Sequence, residues 1–391
     1  MQACSAESLT LANSVMSAGE HLGAMTFTGI FVPGLNKHTY LANPDCRVET
    51  FFVTPELKSA GAQVRFLPLC YADILARLRE VKIDAALFMV SSPGKNGVCS
   101  FGPAVDFLAE LWPKIPVRIA HINPSVPRTR GHAGIPFSEI TACFEADQQL
   151  LGMDDAGADP IAEAIAAHIL HFVGDGATLQ TGLGKIPGAA LRALKGRRGL
   201  RMHSGLIGDA VADLEQAGAF AGDGAILAGV AIGSRRLYAA IGGESYQFRP
   251  ASVTHDGRTI ATIENFVSIN STLEVDLMGQ AYSEFGPGGL MSGPGGASDY
   301  ARAVKIANGL RILALPSSAA RGKITRIVAP AAGSGPVSLG RMDFDIVVTE
   351  HGAADLRGRD YDERADALIG VSAPDYRAGL RDAWNAFARS F

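Results

Sequence analysis

Five apolar runs of strand length, separated by segments of helical period, set what this chain can fold into. They are AALFMV (85–90), RIAHI (118–122), AILAGVAI (225–232), RILAL (311–315) and DIVVT (345–349). Each is continuously apolar. A strand with one wet face alternates, so runs like these belong to a sheet covered on both sides. The intervening segments supply the cover: in PIAEAIAAHILHFV (160–173), Ile161, Ile165, Ile169 and Phe172 recur every three or four residues and face one side. Alternation of this kind predicts α/β architecture. At 391 residues the chain exceeds one ordinary core, so two domains are expected. The acidic stretch MDDAGAD (153–159) lacks large apolar periodicity and precedes a helix. It places the boundary near residue 155, giving domains 1–155 and 156–391. SSPGKNGVCSFG (91–102) and INSTLEVDLMGQAYSE (269–284) both have the form strand, polar turn, strand. That weak echo suits two similar α/β halves.

Composition removes several classes of function. With 35 Lys and Arg against 39 Asp and Glu, the net charge is −4, so neither nucleic acid nor an anionic membrane has an electrostatic reason to bind. No apolar stretch reaches the ~18 residues of a membrane span, and the N-terminus lacks the basic start and apolar block of a signal peptide. A soluble, cytoplasmic protein is expected. Five widely spaced cysteines form no C-x-x-C, which argues for small buried hydrophobes rather than disulfides or zinc. The nine histidines form no metal-binding spacing, so no metal is expected. Glycine is the unusual count, at 45, against a usual ~7%. The glycines cluster between apolar runs, as in turns where backbone approaches something closely.

Three segments could carry chemistry. In DGATLQTGLGKIPGAAL (175–191), a strand runs through Gly182, Leu183, Gly184 and Lys185 into a helix opened by Pro187. Such a loop aims backbone N–H groups at an anion. The dinucleotide spacing G-x-G-x-x-G fails at Pro187, leaving either a structural turn or a phosphate, carboxylate or thioester site. GPGGLMSGPGGASDYARA (286–303) gathers Ser292, Gly293, Gly295 and Gly296 before a helical run. Two amides there would stabilise an oxyanion; the competing reading is a surface loop. The third, VVTEHGAADLRGRDYDERADALI (347–369), ends a buried strand in Glu350 and His351, where α/β proteins place their sites. Glu350 is either reactive or structural, paired with Arg357 or capping the next helix. Arg321 and Lys323 in LPSSAARGKITRIV (315–328), with Arg128 and Arg130 in NPSVPRTRG (123–131), are phosphate ligands or solvated basic turns.

Taken together these segments resemble the acetyl-CoA hydrolase/transferase family, the class I CoA-transferases. SSPGKNGVCSFG, NPSVPRTRG, DGATLQTGLGKIP, AIGSRRLY (231–238), SINSTLEVDLMGQ (268–280), SGPGG, LPSSA and VVTEHGAADLRG occur in the family's order over nearly the whole chain. The resemblance implies two similar open α/β domains facing each other across an active-site cleft, coenzyme A or acyl-CoA as substrate, no permanently bound cofactor, a small carboxylate as partner and a homodimer. It further implies ping-pong catalysis through a glutamyl-CoA thioester, a form of covalent catalysis. By position, Gly182–Lys185 border the CoA thioester. Ser292, Gly293, Gly295 and Gly296 lie beside the CoA, with Gly296 an oxyanion donor. Arg321 stands where the family often has a lysine, Lys323 is its neighbour, and Glu350 matches a glutamate near the reaction centre.

One position departs. The family's nucleophilic glutamate lies in h-x-T-E-x-x-x-D-G-x-x-D-L, and here the segment is Met202 to Leu214. Aligned on Asp209 and Asp213-Leu214, it puts Gly205 where the glutamate belongs. The expected reaction is cleavage of an acyl-CoA by hydrolysis or a related route, C–C cleavage included, with Glu350 as base. Two alternatives stand beside it. One is a CoA-transferase using a displaced carboxylate, Glu350 or Asp209; the other is a non-catalytic acyl-CoA-binding subunit or sensor. His203 and Ser204 immediately precede Gly205, but neighbours on a strand face opposite ways and cannot easily act on each other. The chain also opens on the turn and first helix (CSAESLTLANSVMSAGEHL, 4–22) with the family's preceding strand missing, which would leave an exposed sheet edge.

Overall fold

The structure is a computed structural model that describes residues 1–153, 157–286 and 288–389. The boundary expected at residue 155 lies outside the described residues. The predicted strands form close to their sequence limits, at Ala85–Val90, Val117–Ile122, Ile226–Ala231, Leu310–Ala314 and Ile346–Thr349. All five pair in parallel with at least one neighbour. The chain is thus an α/β protein with parallel-rich sheets, as continuous apolar strands demand.

Two compact units emerge, and neither is a single stretch of chain. The first comprises Met1–Asp155, Ser204–Ala212 and Gly222–Asp256; the second holds the remainder. The expectation of one domain running unbroken over 156–391 is therefore corrected, and the cause is hydrogen bonding. Val105 N–H donates to Gly229 O at 3.1 Å, Ala231 N–H to Pro103 O at 2.8 Å and Phe248 N–H to Arg130 O at 2.7 Å. Removing Gly222–Asp256 from this unit would strand these buried backbone groups. Gly131 permits the last contact: at φ +98° its added Cβ would sit 2.6 Å from Phe248 O.

The first unit holds two further parallel sheets. Thr26–Gly29, Arg47–Thr50 and Val64–Phe66 make one; Ala85–Val90, Val117–Ile122 and Ala142–Glu145 make the other. The segment read as an opening helix forms Leu9–Ala18, with the Ser8 hydroxyl accepting from Leu11 N–H as its cap. At the edge of Ala85–Val90, Gln2 N–H donates to Leu87 O at 2.9 Å and Met89 N–H donates to Gln2 Oε1 at 2.7 Å. These residues use part of the edge that a missing strand was expected to expose.

In the second unit, the parallel strands Thr178–Thr181, Phe266–Ser271, Leu310–Ala314 and Ile346–Thr349 lie side by side, with Gly352–Asp355 antiparallel at the edge. Leu313 and Val347 pack with Leu368, Leu380 and Trp384 of the covering helices Tyr361–Gly370 and Arg377–Ala388. Each such side chain contributes roughly 1.5–3 kcal/mol when fully buried. The helix predicted over 160–173 is α-helical from Pro160 to Ile169 and tightens to a 3-10 turn over Leu170–Phe172. Its buried stripe is Ala162, Ile165, Ala166 and Ile169, whereas Ile161 is 43% exposed. The stripe is thus rotated from the one expected, because alanines let the helix approach its neighbours closely. Cys4, Cys46 and Cys99 are buried, but Cys70 is half-buried and Cys143 exposed, which corrects the reading of all five as core residues.

Candidate active site

Parallel strands deliver their carboxyl ends to one edge of a sheet, and in the second unit that edge gathers the singled-out loops. After Thr178–Thr181, Gly182 N–H donates to Ile269 O. Gly184, at φ +124°, turns the chain into the helix Lys185–Ala193. Only glycine adopts that backbone readily. Lys185 does not point freely at an anion, because its Nζ lies 3.2 Å from Asp159 Oδ2. Asp159 caps Pro160–Ile169 through Ile161 and Ala162 N–H. Under this loop, Gln180 and Asn270 form a reciprocal pair of amide hydrogen bonds of 3.1 and 3.0 Å. That pairing across neighbouring strands escaped the sequence reading, which treated both residues only as parts of motifs.

Glu350 follows the strand Ile346–Thr349. Ser317 binds both of its oxygens: the backbone N–H donates to Oε2 at 2.8 Å and the hydroxyl to Oε1 at 2.7 Å. Ser317 follows Leu310–Ala314, so two adjacent strands bring donor and acceptor together from 33 residues apart. His351 Nε2 lies 3.8 Å from Oε1. The expected alternative, a pair between Glu350 and Arg357, does not form; Arg357 binds Asp355 with two hydrogen bonds, of 2.9 and 2.7 Å. Glu350 is thus a half-buried carboxylate fixed by Ser317, with the His351 imidazole close by.

In the glycine-rich segment, Phe285–Gly286 pairs with Gly289–Leu290 as a short hairpin. Met291 and Ser292 N–H both donate to Glu284 O. Gly295, at φ +66°, and Gly296 lead into the helix Ala297–Ile306, with Gly296 as its N-cap. The segment thus turns onto a helix, whose first amides lack intrahelical acceptors. Arg321 and Lys323 are exposed at the tip of the hairpin Ser318–Ala319/Ile324–Thr325. Ala320, Arg321 and Gly322 all have positive φ there.

The first unit holds Gly205. An added Cβ on Gly205 would lie 2.3 Å from His255 Cε1 and 2.6 Å from Nε2. The imidazole fills the space a side chain at 205 would need. It is 4% exposed, stacks on Tyr71 with centroids 4.3 Å apart, and its Nδ1 lies 2.9 Å from Thr254 Oγ1. Nothing in the sequence alone singled out His255, since 50 residues separate it from Gly205. Asp209 Oδ1 and Oδ2 accept from Ser234 Oγ and N–H at 2.5 and 2.9 Å, leaving it a loop anchor. Ser204 Oγ donates to Leu206 O, while the His203 ring lies edge-on to Phe266. Arg128 donates to Ser91 Oγ, Ser92 O and Val98 O, and Arg130 pairs with Glu244.

A second buried carboxyl in this unit was also missed. Asp106 lines an apolar cavity of about 90 Å³ with Cys4, Ile30, Phe51 and Val230. Its Oδ1 is buried without a hydrogen-bond partner, and burial pushes its carboxyl up to about 8. Its φ of +27° is a strained value for a side-chain-bearing residue.

These loops, their order and their fold define an acyl-CoA enzyme. The chain belongs to the acetyl-CoA hydrolase/transferase family of CoA-transferases. Residues 233–384 match the family's "Acetyl-CoA hydrolase/transferase C-terminal domain". Among its relatives is the 4-hydroxybutyrate coenzyme A transferase of Clostridium kluyveri, 34% identical over 83% of this chain and 78% of that one. The acetyl-CoA hydrolase of Saccharomyces cerevisiae is 28% identical over 62% of this chain and 49% of its own. The crystal structure of RipA from Yersinia pestis superposes with a TM-score of 0.85 at 27% identity, covering 96% of each chain. The protein is accordingly an enzyme, an acyl-CoA hydrolase or CoA-transferase. Among the described residues, no helix is long and apolar enough to cross a membrane.

Proposed function

We propose that this enzyme cleaves an acyl-CoA thioester by transfer to water, without a glutamyl-CoA intermediate. The observation that carries the reading is the His255 ring packed against Gly205. The position aligned with the family's nucleophile has neither a carboxylate nor room for one. Glu350 then serves as general base, a role for which Ser317 orients it. Water attacks the thioester carbonyl carbon and gives its proton to Glu350. The new C–O bond forms, the tetrahedral oxyanion collapses, the C–S bond breaks, and the proton passes to the departing thiolate. The Gly296 amide is the proposed oxyanion donor. Gly182 to Lys185, Ser292, Gly293 and Gly295 line the CoA, and Arg321 and Lys323 meet its phosphates.

The second reading is transfer to a small carboxylate with Glu350 itself as nucleophile; the name of the Clostridium kluyveri relative favours it. One experiment separates them. The enzyme is incubated with an acyl-CoA, with and without labelled acetate, while free thiol and labelled acetyl-CoA are both measured. Hydrolysis releases thiol at the same rate without acetate and gives no labelled acetyl-CoA. Acetate-dependent label with no free thiol, or a borohydride-trappable glutamyl-CoA, overturns the proposal.

A further inference from the structure

The second unit carries a basic groove on the edge of its sheet opposite the loops just described. Topology fixes this placement. Leu310–Ala314 and Ile346–Thr349 run in parallel, with Ser317 and Glu350 beyond their carboxyl ends. Arg311, at the start of the first strand, and Asp345, just before the second, mark the amino ends. Gly352–Asp355 runs back antiparallel and delivers Arg357 and Arg359 to the same edge. Four residues of strand put at least about 13 Å between the two edges.

This groove encloses about 570 Å³ and is lined by six cationic side chains against the carboxylates of Asp345 and Asp360. Two of the cations are neutralised: Arg311 by Asp345 and Arg357 by Asp355. Lys305, Arg341, Arg359 and Arg364 form no ion pair with a carboxylate among the described residues, although Arg359 is near enough to Asp355 to help lower its carboxyl. Arg364 is held rigidly, with Nη1 donating to Leu356 O and Nη2 to Arg341 O. Its guanidinium lies over Gly279, where an added Cβ would meet Nη2 at 2.5 Å. Its Nε is buried and has no acceptor. Burial first, and then the like charge of Arg341, hold this guanidinium below its usual range. Concentrating uncompensated cations costs stability unless an anion joins them. Tyr361 and Met342 add exposed apolar surface, 38% and 58% exposed, to the same groove.

We propose that this groove binds an organic di- or polyphosphate, with Arg341, Arg359 and Arg364 on the phosphates and Tyr361 and Met342 against the organic part. Guanidinium groups match phosphate oxygens in pairs. A ligand here is remote from thioester chemistry and acts as a second, non-substrate site.

Calorimetric titration of the full chain with inorganic pyrophosphate, then ADP, tests it. The expected result is one equivalent bound with Kd of about 1 mM or tighter, weakening as salt is raised. The double variant Arg341→Ala/Arg359→Ala should weaken pyrophosphate at least ~10-fold, while acyl-CoA cleavage stays unchanged. Saturating CoA should leave pyrophosphate binding intact, separating this site from any place where CoA phosphates bind. No binding at about 10 mM, binding indifferent to the double variant, or displacement by CoA overturns the proposal. So does sedimentation with phosphatidic acid vesicles in the absence of pyrophosphate binding, which would mark a lipid headgroup site. The acyl-CoA reading stands or falls separately, on thiol release.

Discussion

Glu350 and Gly205 each stand at or near the end of a sheet strand, and the chain has treated the two positions oppositely. At Glu350 a carboxylate is kept, with a neighbouring strand supplying two hydrogen bonds from one serine. At Gly205 there is no side chain, and a buried imidazole fills the space. A carboxylate survives where surrounding groups satisfy it. The space beside a glycine that never held a side chain, or lost one, is filled by whatever packs best. On the proposed reading, a working carboxylate is held at one strand end and the other is packed shut.

The largest effect that would break this comparison is at the retained carboxylate. Glu350→Gln should lower the rate of thiol release by about 10²–10⁴-fold. Ser317→Ala, which removes only the hydroxyl donor, should lower it by roughly 10-fold, a loss in the range of one hydrogen bond to a charged group. Steady-state thiol release measures both; near-normal activity in Glu350→Gln would remove the proposed base. Next in size is the filled position. Gly205→Glu must displace a ring held by Tyr71 and Thr254 and should destabilise the protein by about 1–3 kcal/mol, read by denaturant unfolding. Adding His255→Ala should recover part of that loss by opening room. If the single variant is as stable as the parent, the packing account of Gly205 is wrong.

A smaller effect sharpens the contrast by means of a carboxyl that is kept yet lacks a partner. Burial holds the Asp106 carboxyl up to about 8 in the folded state, whereas in the unfolded chain it ionises near the ordinary carboxyl value of 3.8. The unfolded state therefore loses its proton first, and folding stability falls as pH rises from about 4 to about 8. Asp106→Asn cannot ionise. Its melting temperature should exceed the parent's by a few degrees at pH 8 and match it at pH 4. Equal shifts at both values would assign the change to packing rather than ionisation.

The strands and the ends of the main helices were legible in the sequence because period and apolar continuity are local properties. The position of Glu350 was legible for a related reason, since a buried apolar strand ending at Thr349 puts the next residue at the sheet's carboxyl edge. Its partner was not: Ser317 lies 33 residues away, and only strand order joins them. The same holds for Gln180 with Asn270, and for His255 with Gly205. The absence of a side chain at 205 could be read; what fills the space could not, because hydrophobic period says nothing about which ring packs where. The division into units failed for a similar reason, since composition near residue 155 does not register hydrogen bonds made by Gly222–Asp256.

The strand Arg201–Ile207 contributes its first three residues to one unit and the rest to the other, and the chain passes between units five times. Recombination acts on contiguous stretches of gene. A single crossover anywhere before Asp256 exchanges fragments of both units at once. Neither unit is a heritable cassette: Gly205 and His255 pack together in the first unit, yet they lie on separate stretches of chain, Ser204–Ala212 and Gly222–Asp256, that a crossover between them would part.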